Sequence, residues 1–155
     1  MFGKRHALFR FRGITVHVDP SWIVIAALVT WSLGSGLFPS FLKGFSQVTY
    51  WAMAIAGALG LFGSILCHEF SHALVARREG LSIRGITLFV FGGVAEMDGE
   101  PARPGTEFRM AIAGPIASAV LGGGLYAVTL AGESWAWPLA LRGVLRYLAW
   151  INLML

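Results

Sequence analysis

Five consecutive residues, His68-Glu69-Phe70-Ser71-His72, set two imidazoles at positions i and i+4 with a carboxylate beside the first. On a helix these positions share a face, so both rings can reach one metal ion. The chemistry this suits is zinc-dependent hydrolysis, in which neutral imidazoles hold Zn2+ and the metal lowers the pKa of its water towards 7. Glu69 can then take a proton as the water attacks a carbonyl, and return it to the leaving amine. With 4 His and 8 acidic residues in the chain, chance produces the pattern in about one such sequence in two hundred, or fewer. The competing chemistry is a polar cluster or proton relay that uses the same three side chains without hydrolysis.

The elements that must carry this motif lie in a membrane. The chain has 155 residues, 56% of them AVILMFWYC and 13% charged, where soluble domains carry about 25% charged residues. A globule of this size exposes a large share of its area, and there is too little polar surface here to cover it. The net charge of +4 does not mark a nucleic-acid patch, because the basic residues fall at the ends of apolar runs. The single Cys67 excludes an internal disulfide framework.

Residues 20–42 and 110–132 contain no charge, and 44–76 contain only Glu69. A spanning helix needs about 20 apolar residues, which predicts spans at 21–38, 50–76 and 108–130. A fourth apolar run, 144–155, is too short to cross. The expected fold is an all-α polytopic membrane protein of three complete spans and the start of a fourth, one membrane-embedded domain over 1–155. Short strands are expected at the N-terminus and between helices two and three.

Residues 1–19 carry Lys4, Arg5, Arg10 and Arg12 and alternate apolar with polar residues around Gly13, as an interfacial hairpin does. Lys and Arg concentrate there and between spans two and three (Arg77, Arg78, Arg84, Arg103), while the other loops hold Lys43 and Arg142. The excess predicts a cytoplasmic N-terminus in a prokaryotic plasma membrane. Arg146 fits this pattern least well. Leu81–Glu96 is β-branched and aromatic, and its charge-free part is too short to span, so it reads as a small sheet or re-entrant loop lining a cavity.

Along a helix, His72 lies about 7–8 Å and His68 about 13–14 Å inward from Arg77. Ionisable groups at such depth are costly and point to function. Cys67 points away from the histidines and reads as packing; His6 and His17 read as interfacial, and Arg77 and Arg78 as an anchor. Ala56, Gly60 and Ser64, and likewise Gly114, Ser118 and Gly122, recur every four residues, a spacing that brings helices close. Pro115 predicts a kink or a freed carbonyl in span three.

The sequence resembles the site-2 proteases, zinc metalloproteases that cut within the membrane. The resemblance runs from Gly13-Ile14 through Ser21-Trp22, the HEFSH helix continuing to Arg78, Ile86–Ala95 and Ala113-Gly-Pro-Ile-Ala-Ser118. It is closest to the bacterial and archaeal subgroup that often carries a C-terminal CBS domain, no part of which lies within these residues. The resemblance implies His68 and His72 as ligands of one Zn2+ and Glu69 as catalytic base. It further implies that Gly92 and Gly93 border the path of an unwound, membrane-spanning protein substrate; apart from the resemblance, the glycine-rich Phe91–Ala95 stretch is the candidate gate by which water reaches the metal. The third ligand of the family, an aspartate in a Leu-Asp-Gly motif, is expected beyond Leu155, so an N-terminal fragment that binds zinc poorly and does not cleave is expected. A transporter or cation relay, or a non-catalytic relative that binds membrane partners, would keep the same motif.

Overall fold

The computed structural model describes residues 5–90, 92–99 and 103–155. Among the described residues, three helical stretches are long and apolar enough to cross a membrane: Ser21–Phe41, Gln47–Arg78 and Pro104–Ser134. The first consists of α1 (Ser21–Trp31), a π-helical stretch (Ser32–Leu37) and α2 (Phe38–Phe41). The other two are the single helices α3 (Gln47–Arg78) and α4 (Pro104–Ser134), and α5 (Leu139–Met154) follows. Each of the three stretches is longer than the span expected for it, 21–38, 50–76 and 108–130. The reason lies at the ends, where caps rather than charges decide termination. α3 runs through Arg77 and Arg78 and stops at Gly80, whose φ is +89°. There Leu81 N–H donates to the Ala76 carbonyl and Gly80 N–H to that of Arg77, the paired bonds that close a helix on a left-handed glycine. α4 starts at Pro104, where the missing N–H costs nothing, and it continues through Pro115 without a break.

The chain forms two compact units, one of residues up to Ile25 with Ile65–Ala117, the other of Ala26–Ser64 with Ser118–Leu155. In the first, the expected β pieces join into one four-stranded sheet of order β1-β2-β3-β4, so the fold is helical with a mixed sheet rather than all-α. β1 (His6–Phe11) and β2 (Ile14–Val18) form the N-terminal hairpin, turning through Arg12 and Gly13, both at positive φ. β3 (Ser82–Phe89) lies parallel to β2, with Val16 opposite Ile86, and antiparallel to β4 (Gly92–Asp98). The parallel pairing requires a glycine at position 85, because a Cβ there would stand 2.8 Å from the Thr15 carbonyl oxygen. Ile14 and Ile86 are fully buried in a cluster with Ala73 of α3, against which Phe70, Ile83 and Ala95 pack. Full burial of a side chain such as Ile14 contributes about 1.5–3 kcal/mol. This cluster seats the sheet on the helix turn that carries the HEFSH residues.

The second unit is a helix packing. Side chains at Gly60 and Gly122 would collide with Leu148 and Leu153, and one at Gly57 would crowd Leu33 at 3.2 Å, so these glycines let the helices approach closely. Asn152 Nδ2 donates to Ser64 Oγ at 2.8 Å, and Ser64 in turn donates to the Gly60 carbonyl. Arg146, the residue that fits the loop-charge pattern least, is paired with Glu133 at 2.5 Å.

Candidate metal centre

His68, Glu69 and His72 occupy consecutive turns of α3, and the two imidazole centroids stand 4.7 Å apart. His72 Nδ1 lies 2.6 Å from the Met110 carbonyl oxygen of α4. A carbonyl only accepts, so Nδ1 carries the proton and Nε2 keeps its lone pair free for a metal.

Both Nε2 atoms converge on one spot. A Cβ built on Gly114 of α4 would collide with His72 Nε2 and stand 2.5 Å from His68 Nε2. Glycine at this position leaves the space that both Nε2 atoms approach. That shared space and the neutral nitrogen donor set fit a zinc ion, with two of its positions supplied by His68 and His72. Among the described residues, no group of three His, Cys, Asp or Glu stands together to complete a metal site.

Glu69 is covered by the sheet. A Cβ on Gly93 would lie 2.5 Å from Glu69 Cγ and 3.1 Å from Cδ, so the β4 backbone passes directly over the carboxylate stem. Gly92 adopts φ +124° and has open space around its Cα. Of the expected gate, Phe91 lies outside the described residues, as do Lys4 and the side chain of Asp98. β4 is the last strand of the sheet, which leaves its outer edge without a strand partner among the described residues.

Other candidates fall elsewhere. His6 and His17 are on β1 and β2, paired with Val18 and Ala7 respectively. Arg77 Nη1 donates to the Arg12 carbonyl, which ties α3 to the hairpin turn. Cys67, expected to pack, is exposed among the described residues. Sequence reasoning assigned Gly114 to helix packing and gave no role to Met110 or to the anchor at the end of α3. In that anchor Arg109 donates two bonds of 2.7 Å to Glu79, and Thr106 donates one of 3.0 Å. These bonds, with that from Arg109 the strongest, hold the Glu79 carboxyl down at about 2 from its ordinary 4.5. The available signal for Gly114 was its place in Ala113-Gly-Pro115, a piece already singled out for its resemblance.

Comparison with known proteins agrees with this geometry. The model of peptidase family M50 matches residues 56–155. Rip3 of Mycobacterium tuberculosis, named as a zinc metalloprotease, is 42% identical over 150 residues, which is 96% of this chain and 37% of that protein. The chain belongs to peptidase family M50, the site-2 protease family. A Synechocystis protein also named as a zinc metalloprotease is 41% identical over 92% of the chain and 36% of its own length. The solved site-2 protease of Methanocaldococcus jannaschii superposes with a TM-score of 0.64 at 26% identity, covering 97% of this chain and 62% of that one. The M50 chain therefore spans little more than a third of the length of these curated relatives. Family and helices together make it a metalloprotease-family membrane protein.

Proposed function

We propose that this M50 chain supplies the HEFSH half of an intramembrane zinc endopeptidase that hydrolyses a peptide bond in a membrane-spanning protein. The observation that carries this reading is the convergence of His68 Nε2 and His72 Nε2 on the gap at Gly114, on a helix apolar enough to cross the bilayer. The chemistry zinc supplies when bound there is the acidification of water and the polarisation of a carbonyl. His68 and His72 would bind it, with Met110 fixing the tautomer of His72. Glu69 takes the proton of the attacking water and delivers it to the departing amine, so the base of the first half of the reaction is the acid of the second.

The edge strand supports the substrate part of the proposal. A helix shields its own carbonyls from attack, so a substrate segment must be extended before hydrolysis. The free edge of β4 offers N–H and C=O groups to such a segment, and Gly93 brings that strand onto Glu69. We place Gly92 and Gly93 at this substrate path. In keeping with the positive-inside pattern, the N-terminal hairpin is assigned to the cytoplasmic face of a prokaryotic plasma membrane, with lipid and a membrane-spanning protein as partners and no nucleic acid.

The test is Glu69→Ala in the full-length protein reconstituted with a membrane-spanning substrate. Retained stoichiometric zinc with abolished cleavage is expected. A wild-type protein without zinc, carrying protons or cations instead, would remove the reading.

A further inference from the structure

The second unit contains a cavity of about 510 Å³ that the proposed peptidase chemistry leaves unused, within the 300–1,000 Å³ typical of small-molecule sites. Phe38, Phe41 and Leu42 form one wall, and a single face of α5 forms the other. That face is graded along its length. Arg142 and Arg146 stand one turn apart near the start of α5, whereas Tyr147, Trp150 and Met154 continue it as an apolar strip. The strip from Arg142 to Met154 is about 18 Å long at 1.5 Å per residue.

The charges at the polar end do not balance. Glu133, Arg142 and Arg146 line it, and the single carboxylate is engaged by Arg146 at 2.5 Å. Arg142 Nε is buried with no hydrogen-bond partner among the described residues. The stem of Arg142 lies over Gly132, where a Cβ would stand 3.5 Å from its Cγ, and Arg142 lines the cavity. A cavity with one net positive charge at its head and an apolar strip below it complements a monoanion that carries a long hydrocarbon chain.

We infer that this cavity holds one anionic phospholipid, its phosphate on Arg142 and one acyl chain along Tyr147, Trp150 and Met154. The lipid comes from the leaflet that borders the turn between α4 and α5. Arg142 and Arg146 outnumber the one carboxylate at this end of the cavity, and planar guanidinium groups favour phosphate oxyanions. The inference rests on the membrane placement proposed above but not on proteolysis, so loss of either reading is seen separately.

Native mass spectrometry of the full-length protein released from nanodiscs tests it, using equal amounts of phosphatidylglycerol and phosphatidylcholine with identical acyl chains. Retained lipid is expected to be enriched in phosphatidylglycerol by about fivefold, the effect of one basic residue near an anionic lipid. Arg142→Gln should remove the enrichment, and Glu133→Gln, which raises the net charge of the site, should increase it. Trp150→Ala should lower retention of both lipids. No retained lipid in the wild type, as when a later segment or a second copy fills the cavity, overturns the inference. So does equal retention of the two lipids, or a response to Glu133→Gln of the opposite sign. The wild-type and Glu133→Gln measurements decide the matter even if Arg142→Gln does not fold.

Discussion

Gly114 and Gly122 lie two turns apart on the same small-residue stripe of α4, yet their missing side chains do different things. At Gly122 the space is taken by the Ala149 carbonyl oxygen, 2.9 Å from where a Cβ would be, and by Leu153. At Gly114 it is taken by two imidazole nitrogens. The first gap brings helices together through apolar and backbone contact, and its worth is measured in stability. The second admits the Nε2 atoms of two imidazoles, polar atoms where Gly122 admits a leucine and a backbone carbonyl. A glycine every four residues along a span therefore specifies close approach. The neighbouring helix decides whether the approach becomes packing or a site.

The largest effect expected from breaking this contrast is at the imidazoles themselves. His72→Ala in the full-length protein removes a metal donor and also the group anchored on Met110. Zinc affinity should fall by more than the ~100-fold that loss of an outer-sphere partner produces, measured by competition with a chelator. The apolar packing around Asn152 and Ser64 should be unaffected. An unchanged zinc content in this variant would mean that the metal sits elsewhere.

Gly114→Ala comes next and probes the gap directly. The added methyl collides with the ring of His72 and crowds that of His68, so one ring must rotate and the shared approach is lost. Zinc affinity is expected to fall by about 10–100-fold, the range found when ligand orientation rather than ligand identity is disturbed. The metal-free protein should lose some stability as well, because the methyl must displace a ring that the Met110 carbonyl holds. The same substitution at Gly60 separates the two readouts. There a Cβ would stand 2.5 Å from Leu148 Cδ1, and overpacking of this kind costs about 1–3 kcal/mol. Unfolding in detergent should shift accordingly while zinc affinity stays at the wild-type value. If both substitutions moved both readouts equally, the distinction between the two gaps would collapse.

These contrasts also mark how far the sequence was legible. Span positions could be read because the cost of placing a charge in the bilayer acts residue by residue, so Ser21, the run before Arg77 and the run after Arg109 announce themselves locally. The two histidines and Glu69 were visible for the same reason, since i and i+4 spacing on one helix needs no partner. The sheet was only half visible. Alternation marked 8–18 as extended, and β-branched and aromatic content marked 81–96 as a small sheet or re-entrant loop, but the pairing of Val16 with Ile86 joins residues seventy positions apart, which no local pattern encodes. The ends of α3 and α4 depended on caps at Gly80 and Pro104 rather than on where charge begins. The role of Gly114 depended on which helix face lay opposite. Arg146 looked misplaced only while Glu133, thirteen residues earlier, was not known to meet it.

The smallest expected effect concerns the anchor that holds α3 and the start of α4 in the register that sets Met110 against His72. Glu79 accepts bonds from Arg109 and Thr106, and its carboxyl is lowered to about 2 from 4.5. A carboxyl whose folded pKa is depressed contributes stability that is complete above its unfolded value and is lost as protons bind through its folded value. The contribution should therefore be present at neutral pH, begin to fall below pH 4.5 and disappear near pH 2. Because Glu79 lies at the surface, solvent screening keeps the effect small. Glu79→Gln should lower the neutral-pH melting temperature slightly and flatten its acid dependence across that window, with the Gly60→Ala variant keeping the wild-type slope. An unchanged acid slope in Glu79→Gln would show that the ion pair does not help hold the two helices, leaving the Ile14–Ile86–Ala73 cluster and the Met110 bond to position the histidines.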